Sequence, residues 1–390
     1  MKVFVVAGEA SGDKLGAALM AGLKKHVPDV TFDGIGGDRM IEQGLKSLFP
    51  MDDISIMGIT EILSRYRHLK RRITQTADAV VAAQPDVLVT IDLPEFGLRV
   101  AKQVKQRSTI RTVHYVAPTV WAWRPGRARK MAAHIDQVLA LLPFEPPYME
   151  AAGMRCDFVG HPVVTDPVAS PDQVAAFKDQ FGLKDRPLAL VLPGSRQSEV
   201  SRLLPVFAEV VRLLHDARPD LDVMIPAAPN VASVVEAAVA DWPVKPHVLY
   251  PVDDAGRSDK TAAFYAADVA LAASGTVSLE LAAANTPMVV AYDMNWLSRQ
   301  IIGRMLRVDT VTLVNLVSDT RVIPEFIGEN CRPAPICNAM IDVLQNPDAQ
   351  QQAMSLTMDR LGRGGQPPGE RAALAVLQGL DEKIGSDGTV

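Results

Sequence analysis

Cysteine is scarce in this chain. Cys156, Cys331 and Cys337 are odd in number and lack CxxC spacing. That excludes a disulfide framework and a cysteine-built zinc site, and it points to a reducing compartment. Basic excess is also missing. The net charge is −5, whereas proteins that bind nucleic acid over their whole surface are usually basic. No apolar run reaches the roughly 18 residues that a membrane span needs, so any membrane contact is expected to be peripheral. Met1 leads straight into KVFVVAG without a charged leader, apolar stretch and cleavage site, so no secretory signal is expected. Internal repeats at a period of 20 to 50 residues and low-complexity segments are absent. The turn after the first apolar run, Gly8-Glu9-Ala10-Ser11-Gly12-Asp13, lacks GxGxxG spacing, which argues against a dinucleotide site there.

What remains is a globular composition, 48% hydrophobic and 22% charged, in 390 residues. A chain this long is better divided into two domains than held in one core. Short apolar runs at Val3 to Ala7, Val87 to Ile91, Thr112 to Tyr115, Val138 to Leu141 and Asp157 to Val159 alternate with helix-length periodic segments. After GHPVVTDPVASPDQ the alternation restarts, with runs at Leu188 to Leu192, Asp222 to Ile225, Val248 to Tyr250, Val269 to Ala272 and Pro287 to Ala291. The class is therefore α/β, with two doubly wound, Rossmann-like parallel sheets facing each other across a cleft. Domains are expected at 1–165 and 166–365, joined by a linker near 160–172. Past Glu325 the pattern reads as helical to about Leu380, followed by a loose tail over 381–390. Whether the helix at about 366–380 crosses back onto the first domain or meets another subunit stays open, as does a homodimer.

Two segments have the character of anion sites. In AADVALAASGTVSLELAAANTPMVVAY, which ends at Tyr292, a buried strand is followed by Ser274, Gly275 and Thr276 and then by a helix carrying Glu280. Small residues and hydroxyls at a helix start offer unpaired N–H groups to a phosphate, and a carboxylate one turn on suits the two hydroxyls of a ribose. A capped helix after any strand of an α/β domain would carry the same residues. VLPGSRQSEV supplies a second such loop, in which Gly194 and Ser195 expose backbone and Arg196 can fork onto a phosphate. Two loops at one sheet edge favour a diphosphate-carrying ligand. Asp220-Leu221-Asp222 has the form of a metal-holding triplet but precedes its strand, on the wrong edge, so no metal is expected.

In the first half, Asp92 ends the run VLVTI with Pro94 opening the next helix, and His114 ends the run TVHYV. Asp92 serves equally as a helix-start carboxylate or as a base in the cleft, and His114 as a hydrogen-bonded core group or a base.

The motifs VAGEASGD, GIGGDRM, FPMDDISIMGITEIL, HYVAPTVWAWRPGRARKM, LPFEPPYME, FVGHPVV, LPGSRQSEV and SGTVSLE, in this order over nearly the whole chain, resemble the lipid-A-disaccharide synthase family. The resemblance implies a GT-B glycosyltransferase that transfers 2,3-diacylglucosamine from UDP to the 6-hydroxyl of 2,3-diacylglucosamine 1-phosphate, with inversion, forming the β(1→6) lipid A disaccharide 1-phosphate. It implies no metal or other cofactor, and a first domain for the acceptor with a second for the UDP-sugar. By position, Asp92 matches the family's base, with Glu9 as the other candidate catalytic acid; Glu9 and Ser11 border the acceptor. Gly194, Ser195, Arg196, Ser274, Gly275, Thr276, Glu280 and Asn315 match nucleotide-contacting positions. Two positions depart from the family pattern: Asn315 lacks a preceding Pro, and Glu95 stands where a second Asp is common.

Acylated substrates account for the segment ISIMGITEILSRYRHLKRR, in which Ile54, Met57, Ile59 and their apolar neighbours adjoin Arg65, Arg67, Lys70, Arg71 and Arg72. Apolar side chains beside a basic cluster suit an anionic membrane surface, here the cytoplasmic face of the inner membrane; a core-facing amphipathic helix with a solvated basic end has the same pattern. Trp121, Trp123 and Arg124 form a second candidate for that surface or for the acceptor. Rival readings are a UDP-N-acetylglucosamine 2-epimerase, which leaves the 54–72 segment unexplained, a non-catalytic nucleotide-sugar sensor, and an RNA-binding protein, which net acidity disfavours.

Overall fold

A computed structural model describes residues 1–55, 66–123, 126–183, 186–251, 254–294 and 308–387. It divides into two compact units, Met1–Thr165 with Gly364–Val390, and Asp166–Arg363. The first holds a seven-stranded sheet built from β1 (Lys2–Ala7), β2 (Thr31–Ile35), β3 (Lys46–Ser47), β4 (Val87–Ile91), β5 (Arg111–Tyr115), β6 (Gln137–Ala140) and β7 (Arg155–Phe158). Their order is β3-β2-β1-β4-β5-β6-β7, and every pairing is parallel. Apolar clusters cover both faces. Phe4, Val6, Leu88 and Val138 pack on one, and Val3, Val5, Val89 and Tyr115 on the other. Burial on both faces is why these strands read as continuous apolar runs.

The second unit holds β8 (Leu188–Leu192), β9 (Asp222–Pro226), β10 (His247–Leu249), β11 (Val269–Ala272), β12 (Met288–Tyr292) and β13 (Glu325–Ile327), in the parallel order β10-β9-β8-β11-β12-β13. Its first helix, Pro171–Gln180, starts with a capping box in which the Ser170 hydroxyl accepts from the Gln173 amide and the Gln173 side chain accepts from the Ser170 amide.

Three strands escaped the sequence pattern. TFDGI interrupts its apolar residues with Asp33 and Gly34, yet forms β2. Gly34 is required there, because a Cβ would lie 1.8 Å from the Val5 carbonyl oxygen. β3 has two residues, and β13 is a half-buried edge strand of three inside a stretch expected to be helical. Too short to show a period of two, both form only because a neighbouring strand offers hydrogen bonds.

The last helix, Pro368–Asp387, belongs to the first unit and packs on the helix Ala10–His26. Small residues permit the close approach: a Cβ on Gly22 would lie 2.8 Å from the Gly369 carbonyl oxygen, and one on Gly369 would lie 2.7 Å from Ala18. Further along, the Gln137 side chain donates to the Ala375 carbonyl, and Arg371 donates to the Phe158 carbonyl. The helix continues past Leu380 through residues expected as tail, and Glu382 forms an ion pair with Arg155 on β7. Among the described residues, no helix is long and apolar enough to cross a membrane.

Candidate active site

In the first sheet the chain runs from β1 outward to β2 and β3, then returns to lay β4 on the other side of β1. The loops after β1 and β4 therefore diverge at their carboxyl ends, the point where doubly wound sheets bind ligands. Register pairs Ala7 with Ile91, so Glu9 and Asp92 follow the ends of adjacent strands. Asp92 and Leu93 both adopt left-handed backbone, at φ 49° and 41°, and Val116, after the adjacent strand β5, does so at φ 82°. Each such L-residue costs about 1–2 kcal/mol. Strain of this kind persists where surrounding structure over-determines it. Here the Asp92 amide donates to the Tyr115 carbonyl, the Val116 amide donates to the Leu139 carbonyl, and Leu93 packs where a Cβ on Gly8 would stand. The helix after Asp92, Pro94–Lys105, receives no side-chain cap, and among the described residues the Asp92 carboxylate has no partner. Asp92 is thus not the helix-start residue that its position allowed. Glu9 is half-buried at the start of Ala10–His26, and Ser11 is exposed beside it.

Other polar groups at this edge are structural. Asp13, 5% exposed on the first turn of the helix Ala10–His26, accepts from the amides of Gly37, Arg39 and Met40, so its carboxylate caps the short helix Asp38–Glu42. His114 is buried, with Nδ1 against the Thr90 hydroxyl at 2.8 Å. Burial first and Arg127 second lower its pKa to about 3, so the ring is neutral at physiological pH and is a core group. Trp121 is 8% exposed, packs edge-on against Phe144, and donates from Nε1 to Glu145 at 3.3 Å. That placement corrects its expected membrane-facing role: a buried indole seeks an internal acceptor. Trp123 is half-buried, and its Nε1 donates to the Thr119 hydroxyl.

Glu145 has its own consequence. Burial pushes its pKa up to about 7, against the Leu142 amide and the Trp121 indole, which pull it down. A carboxyl raised above its ordinary 4.5 keeps a proton in the native state that the unfolded chain has released, so stability falls as pH climbs through that interval. Between about pH 5 and pH 8 this group is expected to remove on the order of 2–3 kcal/mol from the wild type. Glu145→Gln should lose that dependence, along with a constant of about 1 kcal/mol for one misdirected amide. Denaturant midpoints of both proteins across the range provide the check, and parallel pH profiles would refute the assignment.

In the second sheet the reversal of strand order falls between β8 and β11, which pair from Val269 with Ala189 to Ala272 with Leu192. The loops Gly194-Ser195-Arg196 and Ser274-Gly275-Thr276 leave adjacent strand ends, and the Ala273 amide donates to the Leu192 carbonyl between them. Gly194 and Gly275 have φ of +104° and +149°, which glycine adopts without cost. Arg196 is exposed and opens the helix Gln197–Ala217 without capping it, and its charge acts on Tyr292. Thr276 precedes the helix Val277–Ala283 without capping it, so its hydroxyl is not spent on the helix start.

Sequence reasoning missed three groups at this edge. Lys260 donates to Glu280 at 2.8 Å. Glu199 packs against Gly194, its Oε2 lying 2.3 Å from where a Cβ would sit, and it raises the pKa of Tyr292 after burial does so. Glu199 and Tyr292 had a local signal, a first-turn acid and a strand-end phenol; Lys260 had none.

Asn315 was expected at the nucleotide, yet it is 1% exposed and its amide is fully engaged. Its nitrogen donates to the Thr310 hydroxyl and the Ile323 carbonyl, and its oxygen accepts from the Ile323 amide. With Glu325, which accepts from Thr310, Val311 and Thr312, it fixes the segment before the helix Leu313–Ser318. Met57, Ile59 and Arg124 lie outside the described residues. Ile54, expected at the membrane, is instead 1% exposed in the core, and Arg72 pairs with Asp53 over the Phe49 ring. Arg67, Lys70 and Arg71 stay exposed along a shallow concavity with Thr74, Gln75 and Asp78. Asp220 lies before β9 and pairs with Arg218.

Solved structures show the same architecture. UDP-GlcNAc 2-epimerase from Neisseria meningitidis, bound to UDP-GlcNAc, matches with a TM-score of 0.63 at 12% identity over 98% of this chain and 100% of that one. The Methanocaldococcus jannaschii enzyme of the same name, in complex with UDP-GlcNAc and UDP, matches with a TM-score of 0.61 at 14% identity over 97% of this chain and 99% of that one. At this identity they speak for the GT-B-like fold alone. Sequence relatives are far closer. The lipid-A-disaccharide synthase of Ruegeria pomeroyi is 60% identical over 97% of this chain and 96% of its own length, and that of Rhodospirillum centenum is 45% identical over 99% and 96%. The lipid-A-disaccharide synthetase family model matches residues 3–376. With that match running through both strand-order reversals and every loop described above, the chain belongs to the lipid-A-disaccharide synthase family of glycosyltransferases.

Proposed function

We propose that the protein transfers 2,3-diacylglucosamine from UDP-2,3-diacylglucosamine to the 6-hydroxyl of 2,3-diacylglucosamine 1-phosphate, releasing UDP and forming the β(1→6) disaccharide. The observation that carries the reading is the carboxylate of Asp92, unpaired among the described residues and held on a strained turn at a ligand-binding sheet edge. Asp92 takes the proton of the 6-hydroxyl. The oxygen attacks the anomeric carbon, and the carbon–oxygen bond to the diphosphate breaks with its electron pair leaving on UDP. One displacement inverts the centre, so no carboxylate nucleophile is needed. Glu9 and Ser11 border the acceptor at the same edge.

On the second unit, Arg196 and the amides of Gly194, Ser195, Gly275 and Thr276 meet the charge on the leaving diphosphate, with the Ser274 and Thr276 hydroxyls beside them. Each such donor is worth about 3 kcal/mol at the transition state, enough in combination to stand in for a metal. Glu280 accepts the ribose hydroxyls, and Asn315 acts through the segment it fixes. Exposed Arg67, Lys70 and Arg71 draw the first unit to anionic lipid at the cytoplasmic face of the inner membrane, where acylated substrates reside.

The test incubates purified protein with both acylated sugars and follows UDP and disaccharide. Release of UDP that requires the acylated acceptor is expected. Conversion of UDP-N-acetylglucosamine to its 2-epimer, or UDP release indifferent to acceptor, would replace this reading with one of its rivals.

A further inference from the structure

We infer that Lys260 is a positioning residue for the nucleotide, holding Glu280 in the orientation that accepts a ribose hydroxyl. The inference rests on the UDP reading above and adds the residue that sets sugar selectivity. Lys260 lies on the helix Asp254–Ala266, before β11, while Glu280 lies on Val277–Ala283, after it. Their charged atoms meet at 2.8 Å beside the Ser274-Gly275-Thr276 loop. The meeting is built rather than incidental. The Thr286 hydroxyl donates to the Phe264 carbonyl at 2.6 Å and the Tyr265 hydroxyl donates to the Ala283 carbonyl at 3.3 Å, so the two segments are fastened to each other just past the pair in both. The Phe264 ring, one helical turn from Lys260, lies 5.2 Å from the ammonium and restricts where its stem can lie.

Magnitude decides between a structural and a functional role. The two side chains are 37% and 39% exposed, and solvent-exposed ion pairs contribute little to stability. Geometry is what the pair supplies. With Oε2 occupied by Lys260, the carboxylate's rotation is stopped and Oε1 is left to accept from a diol. Selectivity for ribose then depends on the lysine as much as on the glutamate, because an acceptor free to rotate loses its advantage over water.

The experiment measures affinity for UDP and for 2′-deoxy-UDP by calorimetry in wild type, Lys260→Ala, Lys260→Arg, Glu280→Ala and the double alanine variant. Wild type should prefer UDP by about 10-fold or more, the worth of one hydroxyl on a charged acceptor. Lys260→Ala should bring that preference to within about 3-fold, Lys260→Arg should restore most of it, and the double variant should be no less selective than Glu280→Ala alone. A general loss of folding would weaken both ligands equally and leave the ratio intact. A full preference retained in Lys260→Ala overturns the inference while leaving the UDP site in place. No wild-type preference overturns it through Glu280, and wild-type protein that binds neither nucleotide overturns the UDP reading itself.

Discussion

Asp92→Asn is expected to lower the rate of UDP release by about 10²–10⁴-fold, the contribution of a positioned general base, while UDP affinity and folding stability stay close to wild type. The separation follows from the backbone. Asn tolerates left-handed φ as well as Asp does, so the strained turn at φ 49° is preserved. The Asp92 amide keeps its bond to the Tyr115 carbonyl, and the side chain leaves no described partner behind. Among the described residues, nothing in the first unit pairs with the lost charge, whereas the acceptor hydroxyl loses the group that removes its proton. Turnover within a few-fold of wild type would remove Asp92 from the chemistry and leave Glu9 as the acid to test.

The same edge holds a carboxylate whose replacement should act in the opposite way. Asp13→Ala is expected to destabilise the first unit by about 3–5 kcal/mol, because an acceptor of three backbone N–H groups is deleted from a site that is 5% exposed. The donors cannot turn elsewhere. Gly37 approaches so closely that a Cβ there would lie 2.8 Å from the Asp13 carboxylate, so the loop is shaped around that oxygen. Asp13→Asn keeps one acceptor oxygen and should cost about half as much. Urea unfolding of the first unit measures both, and a loss below about 0.5 kcal/mol for alanine, the range of neutral surface changes, would show that water replaces the carboxylate.

Asp13 and Asp92 illustrate the limit of a linear reading. Both follow apolar strands, both precede or enter a helix, and both carry the same side chain. One is an internal cap and the other faces no described group, a difference that depends on whether the segment Gly36–Met40, distant in sequence, arrives beside it. Trp121 makes the same point from the apolar side: in HYVAPTVWAWR it looks exposed among cations, and Glu145 from the next loop buries it. Asn315 kept its place in the chain but spends its amide on Thr310 and Ile323.

The parallel-sheet class, the two-fold alternation and the glycine loops with their hydroxyls and arginine followed from residue order alone, because strand burial, helical period and positive-φ turns are local properties written every two to four residues. Which strands became neighbours, which acids stayed unpaired, and that Lys260 should meet Glu280 were decided by the tertiary fold. Those outcomes depend on hydrogen-bonded register and packing between segments far apart in the chain, and contacts of that kind leave no periodic mark in either segment.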